Sequence, residues 1–164
     1  SHPDTSAHVV DGVEPGLVVV PVEHRANVSS SIEEAKVVLE IAQAQVAKLG
    51  ASEVLIVAPY NAQVDLIRQL LDKAGLNEVA VGTVDKFQGR EAMVVIVSLA
   101  ASSALDAPRG LDFLLDRNRL NVALSRAKAN CYLVYSPALT KSRFRNIEEL
   151  KSVSRLNGLL EQAR

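Results

Sequence analysis

The sequence predicts a three-layer α/β domain, with a mainly parallel sheet between helices. Short apolar runs rich in Val, Ile and Leu alternate along the chain with longer stretches of helical period. Some of these runs, such as Val54–Ala58, are apolar throughout, which is typical of strands buried on both faces. With 164 residues, 48% of them hydrophobic and 23% charged, the chain fits one soluble globular domain that can bury a core.

The predicted elements follow one another without an internal repeat or domain boundary. Five apolar runs are predicted to be strands: Leu17–Val22, Val54–Ala58, about Val79–Val84, Met93–Leu99 and Cys131–Tyr135. Three stretches with an apolar stripe are predicted to be helices: Ile32–Leu49, about Ala62–Ala74 and about Arg119–Lys128. The segment Ser102–Asn118 contains a proline, a glycine and several charges, which indicates a surface excursion. We expect residues 1–16 to be a tag remnant or flexible start, 17–140 the domain, and 141–164 a helical tail.

Residues with helix-terminating chemistry support this order. Ser31 and Glu34 have the spacing of a capping box, which predicts bonds from each side chain to the other residue's backbone. Gly50 and Gly75 stand where the first two helices are predicted to end, a position that favours glycine.

Charge and composition narrow the class of protein. A net charge of −1 and a pI near 6.3 argue against a strongly basic nucleic-acid surface, but they allow a local groove of a few cations and backbone amides. No apolar run approaches the roughly 20 residues that span a bilayer, and no signal peptide is visible, so we expect a cytoplasmic protein without a membrane partner. The single cysteine, Cys131, lies in an apolar run and is expected to be a small buried hydrophobe.

Three polar clusters are candidates for a site, because ligands of open parallel sheets gather at the carboxyl ends of strands. The first cluster, Pro59–Gln63, follows a strand and begins a helix, where exposed amides attract phosphate. It could hold a nucleotide or a nucleic-acid backbone. The alternative is structural, with Asn61 as a helix N-cap and Tyr60 as a half-buried packing residue.

The second cluster, Gly82–Glu91, is unusually polar for a connection between two apolar strands. Gly89 indicates unusual backbone dihedrals or a close approach, and Thr83 could donate to a phosphate oxygen. Glu91 enters a buried strand and needs a partner, such as a ribose hydroxyl or an arginine. The alternative is a structural turn held by an Arg90–Glu91 network.

The third cluster, Asp116–Lys128, has helical period. Arg119 and Arg126 are seven residues apart, so they share a stripe at the border of the apolar face. Their planar, permanently charged guanidinium groups are suited to pairing with phosphate. The alternative is a pair of surface arginines that bridge to carboxylates.

Taken in order, the three clusters resemble motifs IV, V and VI of superfamily 1 helicases, in the branch that includes the nonsense-mediated-decay RNA helicase and the Dna2-type DNA helicases. The matching segments are Val57–Gln63, Val81–Glu91 and Arg119–Ala127, and the resemblance covers about residues 17–140. It implies a RecA-like P-loop NTPase fold and specifically the second motor domain, which faces a first RecA-like domain across an ATP-binding cleft.

The resemblance implies a role for each matched residue. Arg126 would be the arginine finger that reaches the γ-phosphate, and Glu91 would lie close to the nucleotide and its ribose. Arg119 and Gln88 would connect the ATP cleft to the nucleic-acid groove.

The resemblance also implies contacts with a single strand of nucleic acid. Thr83 and the turn formed by Tyr60, Asn61 and Gln63 would contact its phosphates, and Asp85 would orient the loop. DNA is favoured over RNA because the sequence also looks like the helicase ends of bacterial proteins fused to a RecB-like nuclease.

Several parts of the family pattern are missing. The chain has no G-x-x-x-x-G-K-[ST] phosphate loop, no acidic pair for Mg²⁺ and no adenine-packing tyrosine–arginine segment. We therefore expect ATP and Mg²⁺ to be held mostly by a first domain in a longer parent protein, and the chain to be inactive alone. The alternative from another class is a stand-alone nucleic-acid-binding or regulatory domain that lost catalysis, which would have no need for Arg126 or Glu91.

Overall fold

A computed structural model describes residues 8–10, 16–108 and 117–140 of the chain. Their six strands form one sheet: β1 (His8–Val10), β2 (Gly16–Pro21), β3 (Val54–Val57), β4 (Ala80–Gly82), β5 (Ala92–Ser98) and β6 (Ala127–Tyr135). The strand order is β1-β2-β6-β5-β3-β4, and every pair is parallel except β1 with β2. The five-stranded parallel sheet confirms the predicted α/β class and is consistent with a RecA-like helicase domain.

The sheet lies between two other layers. The described helices are α1 (Ile32–Leu49), α2 (Asn61–Lys73) and α3 (Arg117–Ser125). Helices α1 and α2 pack on one face of the sheet, where they share a core with alternate residues of β2 such as Val18. On the other face, Leu17 shares a core with Phe87 of the β4–β5 connection and with Ala123 of α3. Successive β2 residues thus point to opposite faces, as the strand period of two requires.

The helix-terminating residues act as predicted, with one exception. The φ angle is +90° at Gly50 and +78° at Gly75, values that favour glycine where the chain leaves a helix. At the other end of α1, the Ser31 hydroxyl accepts the Glu34 N–H at 3.1 Å, which is one half of a capping box. The other predicted bond, from the Ser31 N–H to the Glu34 side chain, is wrong. The Ser31 N–H donates to the Gln63 side chain at 2.8 Å instead, and the Glu34 carboxylate points into the protein.

The third helix is shorter at its C-terminus than the sequence predicts. Helix α3 ends at Ser125 and β6 begins at Ala127, so Ala127 and Lys128 belong to the strand. Pairing with β5 explains the difference, because Ala127 lies opposite Ala92 and extends the ladder beyond the apolar run. A tertiary partner has overridden a local helical pattern.

The predicted surface excursion is in part a packed segment. Within Ser102–Pro108, Ala104 and Ala107 are buried, whereas Leu105 is exposed. The rest of that excursion up to residue 116 and the tail 141–164 lie outside the described residues. So does the predicted tag remnant or flexible start, apart from residues 8–10 and 16, which belong to β1 and β2. No described helix is long and apolar enough to cross a membrane.

The environment of Cys131 predicts its reactivity. The thiol is fully buried in β6, and burial raises its pKa to about 12, so the reactive thiolate is scarce at neutral pH. We expect iodoacetamide to modify Cys131 only when the domain unfolds, which mass spectrometry across a urea series would follow. Complete modification in native buffer, at the rate of a small-molecule thiol, would contradict the buried position.

Candidate functional site

The candidate residues lie at two opposite edges of the sheet. Tyr60 follows β3 and Thr83 follows β4, which places both at the carboxyl edge. Glu91 directly precedes β5 and Arg126 directly precedes β6, which places both at the amino edge. The expectation that all three clusters gather at the carboxyl ends of strands is therefore wrong. The second cluster begins at one edge and ends at the other because it connects two parallel strands.

The amino edge brings Glu91 and Arg126 together. The Ala92 N–H donates to the Arg126 carbonyl at 3.0 Å, and Ala92 is paired with Ala127. Two motifs that are 35 positions apart in the sequence thus become neighbours across one step of the ladder. The Glu91 side chain is exposed.

The Arg126 side chain has unused hydrogen-bonding capacity. It is partly buried, and its Nε atom is buried without a hydrogen-bond partner among the residues that the structure describes. Buried donors are normally satisfied, so an unpaired one needs an explanation, such as a bound water, an ion or a catalytic role. The alternative in which Arg126 bridges to a carboxylate is not seen within the described ranges. Arg119 lies on α3, and its side chain is outside the described residues.

The β4–β5 connection carries the second cluster across the sheet. Its Phe87 is fully buried in the core, and the cations of Lys86 and Arg90 lie 5.8 and 5.7 Å from the ring centroid. These two cation–ring contacts contribute to holding the connection in place. Gly89 has a φ of +76°, which confirms the predicted need for unusual dihedrals, and Gln88 beside it is exposed. The alternative Arg90–Glu91 network is not seen in this part of the chain.

The carboxyl edge presents a smaller set of polar groups. The Ala58 N–H donates to the Gly82 carbonyl at 3.1 Å, which joins the ends of β3 and β4 and brings the two turns together. Asn61 is exposed on the first residue of α2, and Thr83 is half-buried. The N-cap of α2 is Tyr60, whose side chain makes no capping bond, so the alternative in which Asn61 is the N-cap is wrong.

Other side chains of the carboxyl edge differ in their access to solvent. Tyr60 is only 8% exposed, and its hydroxyl donates to the Pro108 carbonyl at 3.1 Å. The packing alternative thus describes Tyr60 better than a direct phosphate contact does. Asp85 is exposed in the 3-10 turn that follows Thr83.

Gln63 does not face the proposed groove. It is fully buried, and its amide donates to the Ser31 carbonyl at 3.2 Å and to the Ser98 hydroxyl at 3.0 Å. Its oxygen accepts the Ser31 N–H at 2.8 Å. All these bonds are internal, so contact with nucleic acid would require breaking them. We correct the expected nucleic-acid contact of Gln63 to a structural role: it ties the start of α2 to the start of α1 and the end of β5.

A buried carboxylate, that of Glu34, lies next to Gln63 and was not predicted from the sequence. One of its oxygens accepts from the Ser98 hydroxyl at 2.8 Å and from the Ala100 N–H at 3.0 Å. The other lies 2.7 Å from His24 Nε2. Both side chains of this His24–Glu34 pair are completely shielded from solvent. Such a buried charge is tolerated because each oxygen has a donor.

The partners of His24 define its tautomer. Glu34 as a carboxylate can only accept, so beside a carboxylate Nε2 carries the hydrogen that bonds it. Asn27 Nδ2, 3.0 Å from Nδ1, can only donate, so in the neutral ring Nδ1 accepts. The Ser102 hydroxyl is also 2.6 Å from Nδ1 and accepts the Asn27 backbone N–H at 2.9 Å. These bonds hold the loop after β2 against the segment after β5.

One sequence signal could have indicated the role of Glu34. It stands one helical turn before Val38 and two turns before Ile41, on the stripe of α1 that is buried. A charged residue on such a stripe needs internal partners. The neighbouring Glu33 is exposed, and its pKa is lowered by its own backbone amide first and then by the Asn27 side chain.

The family comparisons agree with the motif pattern. A family model described as an AAA domain matches residues 19–138. The chain is 47% identical over 88 residues to DNA polymerase alpha-associated DNA helicase A of Schizosaccharomyces pombe, covering 54% of this chain. It is 38% identical over 130 residues to the DNA replication ATP-dependent helicase/nuclease DNA2 of Xenopus laevis, covering 78%. It is 37% identical over 93 residues to human RNA helicase Mov10l1, covering 55%.

These relatives are much longer than the chain. The matched regions make up 13% of the fission-yeast protein, 12% of the Xenopus protein and 8% of the human protein. The names of the relatives include both DNA and RNA helicases. The expected relation to bacterial RecB-like nuclease fusions has no support in these matches.

The buried network around Glu34 generates a stability prediction. We expect Glu34→Ala to lower the free energy of unfolding by about 3 kcal/mol or more, because it leaves His24, Ser98 and the Ala100 N–H without their acceptor. Urea unfolding of the chain, followed by circular dichroism, measures this change. The matched control is Glu40→Ala on the exposed side of α1, which should change stability by less than about 0.5 kcal/mol. Equal effects of the two substitutions would contradict the assigned role of Glu34.

Proposed function

Since the chain belongs to the AAA-domain family that forms the C-terminal helicase part of superfamily 1 helicases of the Dna2 and Mov10 kind, we propose that it is the second motor domain of an ATP-dependent nucleic-acid helicase. ATP is the substrate, and Mg²⁺ accompanies it. Most of the triphosphate contacts belong to a first RecA-like domain, because this sequence contains no phosphate loop. On this proposal the chain does not hydrolyse ATP by itself.

The observation that carries the proposal is the unpaired Nε of Arg126 at the amino edge of the sheet. A guanidinium with a free buried donor is suited to phosphate oxygens, which accept from its planar fork. Glu91 is next to it across the β5–β6 ladder, and its exposed carboxylate can accept from ribose hydroxyls. The residues at this edge therefore fit the phosphate and sugar parts of a nucleotide.

The proposed chemistry of Arg126 is electrostatic. Phosphoryl transfer spreads negative charge over the oxygens of the γ-phosphate and over the leaving group. A guanidinium held in place before the reaction stabilises that charge without reorganisation. Arg126 is the arginine finger on this proposal, and Arg119 and Gln88 connect the ATP cleft at the amino edge to the nucleic-acid groove at the carboxyl edge.

The opposite edge is proposed to hold a single strand of nucleic acid. Thr83 and Asn61 are accessible there, and a hydroxyl and the unblocked N-terminus of α2 are both suited to phosphate. Asp85 orients the loop on this proposal. Tyr60 contributes by holding the turn through Pro108. Phosphate contacts do not distinguish DNA from RNA. The preference for DNA rested on the resemblance to nuclease fusions, which the matched relatives do not support.

The Arg126 proposal predicts a catalytic defect in the parent protein that carries both motor domains. We expect Arg126→Ala to lower kcat for ATP hydrolysis by about three orders of magnitude or more, with a far smaller effect on ATP binding. Arg126→Lys should not restore the rate, because an ammonium lacks the forked geometry. Steady-state kinetics and equilibrium binding of a labelled nucleotide separate the two effects.

The matched control is Lys73→Ala, which removes an exposed cation from the end of α2. Helix α2 packs on the face of the sheet opposite to α3. This substitution should leave kcat unchanged. A soluble Arg126→Ala enzyme with full activity would show that Arg126 is a structural arginine and that the proposed mechanism is wrong.

The strand-binding proposal predicts where a ligand perturbs the isolated chain. We expect a single-stranded oligonucleotide to shift the amide NMR signals of Thr83 and Asn61 first, weakly and with strong salt dependence. Thr83→Val keeps the side-chain shape, removes the hydroxyl, and should weaken these shifts. Signals of Ala127 and Lys128 at the amino edge should stay unchanged. Shifts confined to residues 141–164 would assign the contact to the tail instead.

A further inference from the structure

The amino edge of the sheet, which the proposed function assigns to the nucleotide, is held in part by a side chain that replaces a strand partner. Strand β3 begins at Val54, which is paired with Val94, and residues Ala51–Glu53 before it form a 3-10 turn. The Met93 N–H, one position earlier on β5, therefore has no strand backbone opposite it on the β3 side. The Glu53 carboxylate takes that place and accepts the Met93 N–H at 3.1 Å.

The other side of the same segment is irregular. Between Ala92 and Val94 the register of β5 against β6 shifts, because Ala92 pairs with Ala127 and Val94 pairs with Asn130. Such an irregularity interrupts the ladder and changes the direction of side chains near it. The Ala92–Arg126 bond and the Met93–Glu53 bond thus fix this part of β5 from its two sides.

From this arrangement we infer that Glu53 is a positioning residue for the nucleotide-facing edge: its carboxylate fixes Met93, and through Ala92 it fixes the relative position of Glu91 and Arg126. The inference rests on the proposed function, because it assigns to Glu53 an effect on ATP hydrolysis. A bond to a carboxylate is stronger than one between neutral groups, which suits an anchor at a strand end.

The loss of this anchor has a defined consequence. Without Glu53 the Met93 N–H is left without its acceptor in a partly buried position, and the start of β5 can shift. A small displacement of Arg126 is sufficient to reduce transition-state stabilisation, since misplacement by about 1 Å can cost up to about a hundredfold in rate. Glu53 itself touches neither Arg126 nor the reacting atoms in this proposal.

The test compares variants of the parent protein with both motor domains. We expect Glu53→Ala to lower kcat about tenfold or more, and Glu53→Gln, which keeps an accepting oxygen, to stay within about twofold of the original rate. Glu53→Asp shortens the side chain by one methylene group and should fall between them, which keeps the test decisive if Glu53→Ala does not fold. The matched control is Ser52→Ala, an exposed neighbour in the same turn, which should have no effect.

A double variant distinguishes positioning from a purely structural role. If Glu53 acts through Arg126, Glu53→Ala should cause no further loss of kcat in an Arg126→Ala background. The inference would be overturned if Glu53→Ala lowered the melting temperature but left kcat per folded molecule unchanged. It would also be overturned if the double variant lost kcat by the product of the two single losses. Failure of the proposed function is a separate outcome, in which Arg126→Ala alone leaves kcat unchanged.

Discussion

The buried carboxylate of Glu34 constrains much of the domain. A charge without solvent must be surrounded by donors, so the fold is required to bring His24, Ser98 and Ala100 to one point. These groups come from the loop after β2 and from the end of β5, and Gln63 adds the start of α2. The network lies at the carboxyl ends of β2 and β5, at the edge where open α/β sheets commonly bind ligands. Accessible polar groups are found at the same edge, at the ends of β3 and β4.

The parallel sheet separates the two halves of the proposed mechanism. Residues that follow a strand and residues that precede one are at opposite edges, a strand length apart. Thr83 belongs to the first group, and Glu91 and Arg126 to the second. One domain can thus face a nucleotide at one edge and a nucleic-acid strand at the other, and the fold alone determines the distance between them.

The sequence was informative where local patterns decide the structure. The continuous apolar runs and the helical stripe of Ile32–Leu49 predicted the elements and the α/β class, and the motif patterns predicted the family. The sequence pattern did not identify the partners of Gln63 and Glu34, because most of them come from residues 32 to 66 positions away. It also assigned Arg126 to the wrong edge of the sheet, because its cluster was expected at the carboxyl ends of the strands. The correct edge depends on where β6 begins, which is decided by pairing with β5.

The connection between β4 and β5 has a further mechanical property. Gly82 and Val97 both pair with Val57, so they lie at the same height in the sheet. The nine residues between Gly82 and Ala92 must therefore descend roughly 17 Å along the strands and cross roughly 10 Å between them. Four of them form a 3-10 turn, with only about 2 Å of rise per residue. At most about 3.3 Å for each remaining step gives a reach of under 30 Å, and Phe87 must stay in the core along the way. The direct distance is about 20 Å, so the linker has several ångströms to spare, and the burial of Phe87 is what fixes its path. Small displacements of Thr83 can therefore be absorbed within the linker while Phe87 stays packed in the core and Ala92 keeps its place.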